Sequence, residues 1–187
     1  MWTMETERQR TALLVIDMQE AVLAGCADVA GVVARINELL RRAREAGTAI
    51  VFIQHGEADD PELVPGSPGW QLIGTLDRRE GDTLVPKSYR DSFAGTDLAA
   101  ELARSGAERL VLTGAQSDFC VQTAALSALM RGYDVTLVSD AHTTTPAVVP
   151  GGELGAEAVV AFVNSHLETL RYPGRTLEVL PAAEVSI

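Results

Sequence analysis

Three side chains that can move or steady a proton occupy comparable places in this sequence: Asp17, Lys87 and Cys120. Each follows a short apolar run of the kind that forms a buried strand. Cys120 lies in Gly114-Ala115-Gln116-Ser117-Asp118-Phe119-Cys120-Val121-Gln122-Thr123, between a β-branched run at 109–113 and an Ala- and Leu-rich helical pattern at 121–131. A thiol at a helix N-terminus meets free backbone N–H groups and the positive end of the helix dipole. Both favour thiolate, and both would hold an oxyanion formed on a carbonyl under attack. A carboxylate beside the thiol can take its proton and hand it to a leaving amine, while an ammonium offsets negative charge and orients the two. That set suits acyl transfer from nitrogen to sulfur. Taken singly, each residue has an ordinary alternative: a small buried hydrophobe for Cys120, a cap or loop residue for Asp17, a solvated surface lysine for Lys87.

Bringing the three together requires a sheet. Thr11-Ala12-Leu13-Leu14-Val15-Ile16 is continuously apolar and ends on Asp17, the pattern of a strand buried on both faces with a carboxylate at its C-terminal edge. Asp28 caps a predicted helix in which Val29, Val32, Val33, Ile36, Leu39 and Leu40 recur at helical spacing, and Gly47 ends it. Ala49-Ile50-Val51-Phe52-Ile53 is a second buried strand running into Gln54 and His55, so the first unit reads as a right-handed parallel crossover. Residues 56–81 are acidic and rich in Pro and Gly, a long loop with one short helical turn, and such loops tend to carry function. Asp82-Thr83-Leu84-Val85-Pro86 predicts a third strand with Lys87 beyond it, and Thr96 a cap for a helix through Leu98, Leu102 and Ala103 that Gly106 closes. Strands at 110–113, 135–138 and 176–180 and a helix at 156–170 complete the pattern, with His142 following the fifth strand. The alternation indicates an α/β protein of Rossmann-like type, a three-layer α/β/α sandwich around a mainly parallel sheet. The C-terminal strand ends of such a sheet share one edge, so Asp17, Lys87 and Cys120 can converge in one crevice.

At 187 residues the chain is expected to form one domain, 1–187. A formal charge of −11 argues against nucleic acid as a partner. No apolar run approaches the roughly 20 residues of a membrane helix. The stretch from Met1 to Arg10 has no apolar core of a signal peptide, so a cytoplasmic protein with no membrane partner is expected. Cys26 and Cys120 fit a reducing compartment, and neither has the spacing of a zinc or paired-cysteine redox site; Cys26 reads as structural.

Leu14-Val15-Ile16-Asp17-Met18-Gln19, Val85-Pro86-Lys87 with Phe93 following, and Gly114 through Val121 resemble, in order and spacing, the three motifs of the isochorismatase-like cysteine hydrolases, over about residues 11–145. The resemblance implies that Asp17 is the general base and acid, Lys87 the electrostatic partner and Cys120 the nucleophile that forms a thioester with the acyl part of an amide. It also implies a six-stranded parallel sheet, a cis peptide between Ala115 and Gln116, and an oxyanion hole made by the backbone N–H groups of Gln116 and Cys120. Metal-dependent nicotinamidases of that superfamily carry an Asp-x-His motif after the second strand, where this chain reads Ile53-Gln54-His55-Gly56-Glu57. With His55, His142 and His166 as its only histidines, no metal site and no cofactor are expected. Cys120 weighs against isochorismate cleavage, since members with that activity lack the cysteine. What remains is a homo-oligomeric hydrolase of the C–N bond of a small amide or ureido substrate. The alternatives are an ether or ester hydrolase on the same scaffold and a silent binding or redox-sensing protein. His55, Trp70, Phe93 and Phe119 are candidate pocket walls, with core packing the competing role for each aromatic.

Overall fold

A computed structural model describes residues 10–187; the stretch 1–9, on which the expected absence of a signal peptide partly rested, lies outside the described residues. The first strand, β1, spans Thr11–Ile16, and its side chains divide between two apolar cores. Ala12, Leu14 and Ile16 point to one, Leu13 and Val15 to the other. A strand clothed on both faces has no polar side to show, which is why its sequence is unbroken hydrocarbon. Helix α1 (Glu20–Leu23) is a single turn, and α2 (Val29–Ala46) carries the predicted apolar stripe of Val32, Val33, Ile36, Leu39 and Leu40 onto the second core. Asp28 caps α2 by accepting from Gly31 N at 3.2 Å, and Gly47 ends it in the left-handed conformation.

Strands β2 (Ala49–His55) and β3 (Thr83–Lys87) follow, then α3 (Leu98–Ser105), β4 (Arg109–Ala115), a π-helical turn (Ser117–Val121), α4 (Gln122–Met130) and β5 (Asp134–Thr143). The chain ends with a hairpin of β6 (Ala147–Val149) and β7 (Gly152–Leu154), helix α5 (Ala156–Glu168) and β8 (Leu177–Leu180). The six long strands form one sheet in the order β3-β2-β1-β4-β5-β8, and every pairing is parallel. Helices α3, α4 and α5 pack on one face and α2 on the other, giving the expected three layers.

Several boundaries differ from the sequence reading. Lys87 is the last residue of β3 rather than the residue beyond it. Asp97 is the N-terminal residue flanking α3, while the Thr96 hydroxyl accepts from Leu98 N at 3.3 Å and donates to Ser92 O at 2.6 Å. Residues 56–81 contain turns but no helix. They are nonetheless tied down: Ile73 N donates to Met18 O, Glu20 N to Gln71 O, and Arg44 of α2 pairs with Asp77 at 2.8 Å and Asp82 at 2.7 Å. The β6–β7 hairpin has no counterpart in the sequence reading.

The strand order fixes where a site can form. The chain starts at the centre with β1, moves outward through β2 and β3, then returns to β4 beside β1 and moves out the other way. The ends of β1 and β4 therefore part at the carboxyl edge, where open α/β sheets have their crevice.

Candidate active site

Asp17 leaves β1 and the turn bearing Cys120 leaves β4, so the two flank that crevice. Their approach depends on a backbone contact: a Cβ at Gly114 would fall 2.0 Å from Ile16 O, and Gly114 has φ +120°. Only glycine permits the two backbones to come so close in that conformation. The β4–β5 register shifts between Leu112 and Gly114, and the next peptide, Ala115–Gln116, is cis, as the resemblance implied. Asp17 itself has φ +50°, a left-handed conformation rarely adopted by a residue other than glycine, held here by its N–H donating to Ile53 O at 3.0 Å.

Lys87 reaches the crevice from β3, in register with His55 of β2. Its Nζ lies 2.7 Å from Asp17 Oδ2, 3.2 Å from Cys120 Sγ, 3.1 Å from Tyr89 O and 3.4 Å from His55 Nδ1. The Asp17 and Lys87 side chains are 1 % and 0 % exposed. A buried charge pair persists only when its geometry repays desolvation, and here one ammonium is shared by four acceptors. His55 Nε2 lies 3.5 Å from Glu57 Oε2, on the side of the ring away from Lys87.

Burial acts on the thiol in the opposite sense to the helix terminus. Desolvation, with the Asp17 charge adding to it, pushes the Cys120 thiol up to about 12, more than Lys87 offsets. Burial thus works against the thiolate that a helix N-terminus alone would favour. Cys120 also lies in the π-helical turn, ahead of α4 rather than within its first turn. Burial raises Asp17 as well, with Lys87 opposing, and a carboxylate so raised is the stronger base.

A cavity of about 280 Å³ opens over these groups, lined by Asp17, Ala21, Val22, His55, Leu63, Arg90, Gln116, Phe119 and Cys120. Of the candidate wall residues, His55 and Phe119 line it. Phe93 does not: it is 6 % exposed in the core, stacked on Tyr133 at 6.0 Å. Trp70 is not among the lining residues either; its carbonyl accepts from the side chains of Gln19 and Gln54, each at 2.9 Å. Gln19 also brackets the His55 backbone, accepting from His55 N at 2.7 Å and donating to His55 O at 2.8 Å. The sequence reading missed this positioning role, as it missed Arg90, although Gln19 stood within a quoted motif. His142 is buried away from the cavity, its ring between Ser117 Oγ at 2.8 Å and Asn164 Oδ1 at 2.9 Å, and burial lowers its pKa. His166, on α5, stacks on Phe162 at 5.9 Å. Among the described residues, no three His, Cys, Asp or Glu side chains gather to hold a metal.

The isochorismatase domain profile matches residues 11–148. Streptothricin hydrolase of Streptomyces noursei is 34 % identical over 175 residues, covering 92 % of this chain; the chain spans 62 % of that protein's length. Ureidoacrylate amidohydrolase RutB of Pseudomonas syringae pv. syringae is 30 % identical over 178 residues, covering 73 % of this chain and 72 % of the relative. Among solved structures, an isochorismatase from Pseudomonas putida superposes with a TM-score of 0.84 at 27 % identity, covering 95 % of this chain and 90 % of the other. A cysteine hydrolase from Pseudomonas syringae pv. phaseolicola gives 0.81 at 25 % identity, over 94 % and 90 %. Sequence match and shared architecture agree along most of the described residues, and the chain belongs to the isochorismatase family.

Proposed function

We propose that this chain is a cysteine hydrolase that cleaves the C–N bond of a small amide or ureido compound through a thioester on Cys120, with Asp17 and Lys87 completing a catalytic triad. The observation that carries it is the meeting of carboxylate, ammonium and sulfur from three crossovers, at 2.7 and 3.2 Å, beside a cavity. Substrate enters with its carbonyl oxygen towards the backbone N–H groups of Gln116 and Cys120. As sulfur attacks the carbonyl carbon, its proton passes to Asp17, and the developing oxyanion is held by those N–H groups. The tetrahedral adduct collapses, the C–N bond breaks and Asp17 returns the proton to the departing nitrogen, releasing ammonia or an amine. Water then attacks the thioester, giving its proton to Asp17, and the sulfur leaves and is reprotonated. Lys87 keeps Asp17 anionic between these steps. The raised thiol fits this order, because sulfur need be anionic only as the new bond forms.

The names of two relatives, an amidohydrolase and a hydrolase, support C–N cleavage as the chemistry. A reducing compartment such as the cytoplasm fits the two free thiols, Cys26 and Cys120, and no helix among the described residues is long and apolar enough to cross a membrane.

Cys120→Ala and Cys120→Ser are expected to abolish ammonia release from a panel of short amides and ureas. Mass spectrometry of quenched wild-type enzyme should find an acyl adduct on Cys120. Activity that survives both substitutions, or only sulfenic acid and disulfide on that sulfur, overturns the reading.

A further inference from the structure

We infer that His142 is a positioning residue: from behind the cavity, through the Ser117 hydroxyl, it holds the turn that presents the Cys120 sulfur and the backbone N–H groups of Gln116 and Cys120. This rests on the cysteine-hydrolase reading above and adds to it a residue that never meets the substrate.

β5 follows β4 to its end, with His142 opposite Gly114 and Thr143 opposite Ala115. His142 is 2 % exposed, and a buried imidazole needs a partner for each nitrogen. The direction of its hydrogen bonds follows from the neighbours. Asn164 of α5 donates from Nδ2 to Ser139 O at 2.9 Å, and a carbonyl can only accept, so it is Oδ1 that faces His142 Nε2 at 2.9 Å. Nε2 therefore carries a proton. Burial lowers the pKa of the ring, with Asn164 and Asp140 opposing, so at neutral pH the ring is uncharged and Nδ1 accepts. The Ser117 hydroxyl, 2.8 Å away, must then donate to it.

Ser117 is fully buried and opens the π-helical turn, directly after Gln116 and three residues before Cys120. Its neighbours in the turn are tied to other elements. Gln116 Nε2 donates to Val22 O of α1 at 3.0 Å, Thr144 Oγ1 beyond β5 donates to Asp118 Oδ1 at 2.6 Å, and Thr123 Oγ1 of α4 donates to Phe119 O at 2.7 Å. The Ser117 bond runs on through His142 into α5, and so sets the turn against both the sheet and a helix packed on it. Buried networks with every member satisfied hold one arrangement rather than several. Oxyanion donors need that, since they act only when kept within about 0.5 Å of the productive geometry.

Asn and Gln substitutions split the two contacts of the ring, because Asn places an amide oxygen where Nδ1 sits and Gln an amide nitrogen where Nε2 sits. His142→Asn keeps the acceptor for Ser117 and gives up Asn164; His142→Gln does the reverse. The probe is propanal isotopically labelled at its carbonyl carbon, which forms a hemithioacetal on Cys120: sulfur bonds to carbon, the C=O π bond breaks and the thiol proton ends on the oxygen. Carbon NMR reads the dissociation constant of the adduct, with the Cys120→Ala protein identifying any adduct on Cys26, and urea unfolding reads stability. His142→Gln and Ser117→Ala should each weaken the adduct about ten- to a hundred-fold, the effect of misplacing an oxyanion donor. The double variant should be no worse than either. His142→Asn should recover most of that loss while unfolding at no higher urea than His142→Gln, a split between adduct and stability that a structural role would not give. Equal adducts in the two His142 variants, a wild-type adduct in Ser117→Ala, or a double variant whose losses multiply overturns the role of His142 and leaves the hydrolase reading in place. Ammonia release is read separately on the amide panel: the expected order of adducts without ammonia from any amide leaves His142 standing and removes C–N hydrolysis. A wild-type protein that forms no adduct on Cys120 removes both.

Discussion

Two thiols lie on either side of Gln116, and their surroundings differ in one respect that matters. Cys26 packs against the core beneath α2, donating to Val22 O at 3.3 Å, with Gln116 Nε2 at 3.7 Å. Cys120 packs against the opposite core, with Lys87 Nζ at 3.2 Å, itself 2.7 Å from the Asp17 carboxylate. Burial raises both thiols, so neither is reactive by virtue of acidity. What Cys120 has and Cys26 lacks is the paired Asp17 carboxylate and Lys87 ammonium, which on the proposed function receive and steady its proton. Under the proposed function, nucleophilicity at Cys120 comes from proton transfer to Asp17 during attack rather than from a thiolate held in waiting.

The largest effect should follow from removing that base. Asp17→Asn keeps size and hydrogen bonding but cannot take a proton, and should lower kcat/KM by about 10³, within the span of general-base contributions. The same substitution should bring alkylation of Cys120 at neutral pH down to the slow rate of Cys26. A Cys120 that still outpaces Cys26 would mean that the dipole or Lys87, rather than Asp17, sets its reactivity. In the wild type, burial lifts Asp17 above the usual carboxylate value of 3.8, so activity should fail on the acid side as pH drops through that raised value. Asp17→Asn should show no such limb in its residual rate.

Lys87→Met tests the pair from the other side. Both charged side chains are almost fully enclosed, and deleting the ammonium strands a carboxylate in hydrocarbon. Breaking a buried pair in this way costs about 3–5 kcal/mol, which urea unfolding would register as a lower midpoint with an unchanged slope. A loss below about 1 kcal/mol would instead be that of a surface ion pair, and the contrast with Cys26, whose hydrogen-bond partners are Val22 O and the Gln116 amide, would fail.

How much of this was readable beforehand depends on whether local pattern or tertiary contact decides a feature. β1 and α2 were legible because each declares its buried surface in its own spacing, continuous for a strand covered on both faces and at helical intervals for α2. The trio was legible because a charged residue after a buried strand is conspicuous, and a parallel sheet sends all such ends to one edge. The β6–β7 hairpin was not, since strands of three residues with Val148 85 % exposed carry no alternation to detect. β5 runs on to Thr143 through Ser139, Asp140 and His142, polar residues whose partners come from elsewhere in the chain, such as Asn164 for His142. Phe93 and Phe119 looked alike because cavity walls and cores draw on the same side chains, and only packing sends Phe93 against Tyr133. The upward shift that burial gives the Cys120 thiol was not legible for a related reason: a helix terminus can be read from sequence, whereas desolvation is a property of the assembled site.

The smallest effect tests whether Cys26 is as passive as its surroundings imply. Cys26→Ala should cost about 1 kcal/mol or less and leave kcat/KM within about two-fold, because it deletes one weakly bonded sulfur and no proton path. Alkaline unfolding extends the comparison. An unfolded thiol ionises near 9, whereas folded Cys120 keeps its proton to about 12, so between those values the native state holds a proton that the unfolded state has released. Stability is then undiminished by this group below pH 9 and falls as pH rises through the window, by at most about 1.4 kcal/mol per pH unit. Cys120→Ala should flatten that decline. Cys26 is raised in the same direction by its own burial, so Cys26→Ala should remove only its separate contribution and leave the Cys120 portion in place. If the two substitutions flattened the decline equally, the Asp17 charge would be adding nothing to the Cys120 thiol. The contact between carboxylate and sulfur, on which proton transfer depends, would then be too loose to serve.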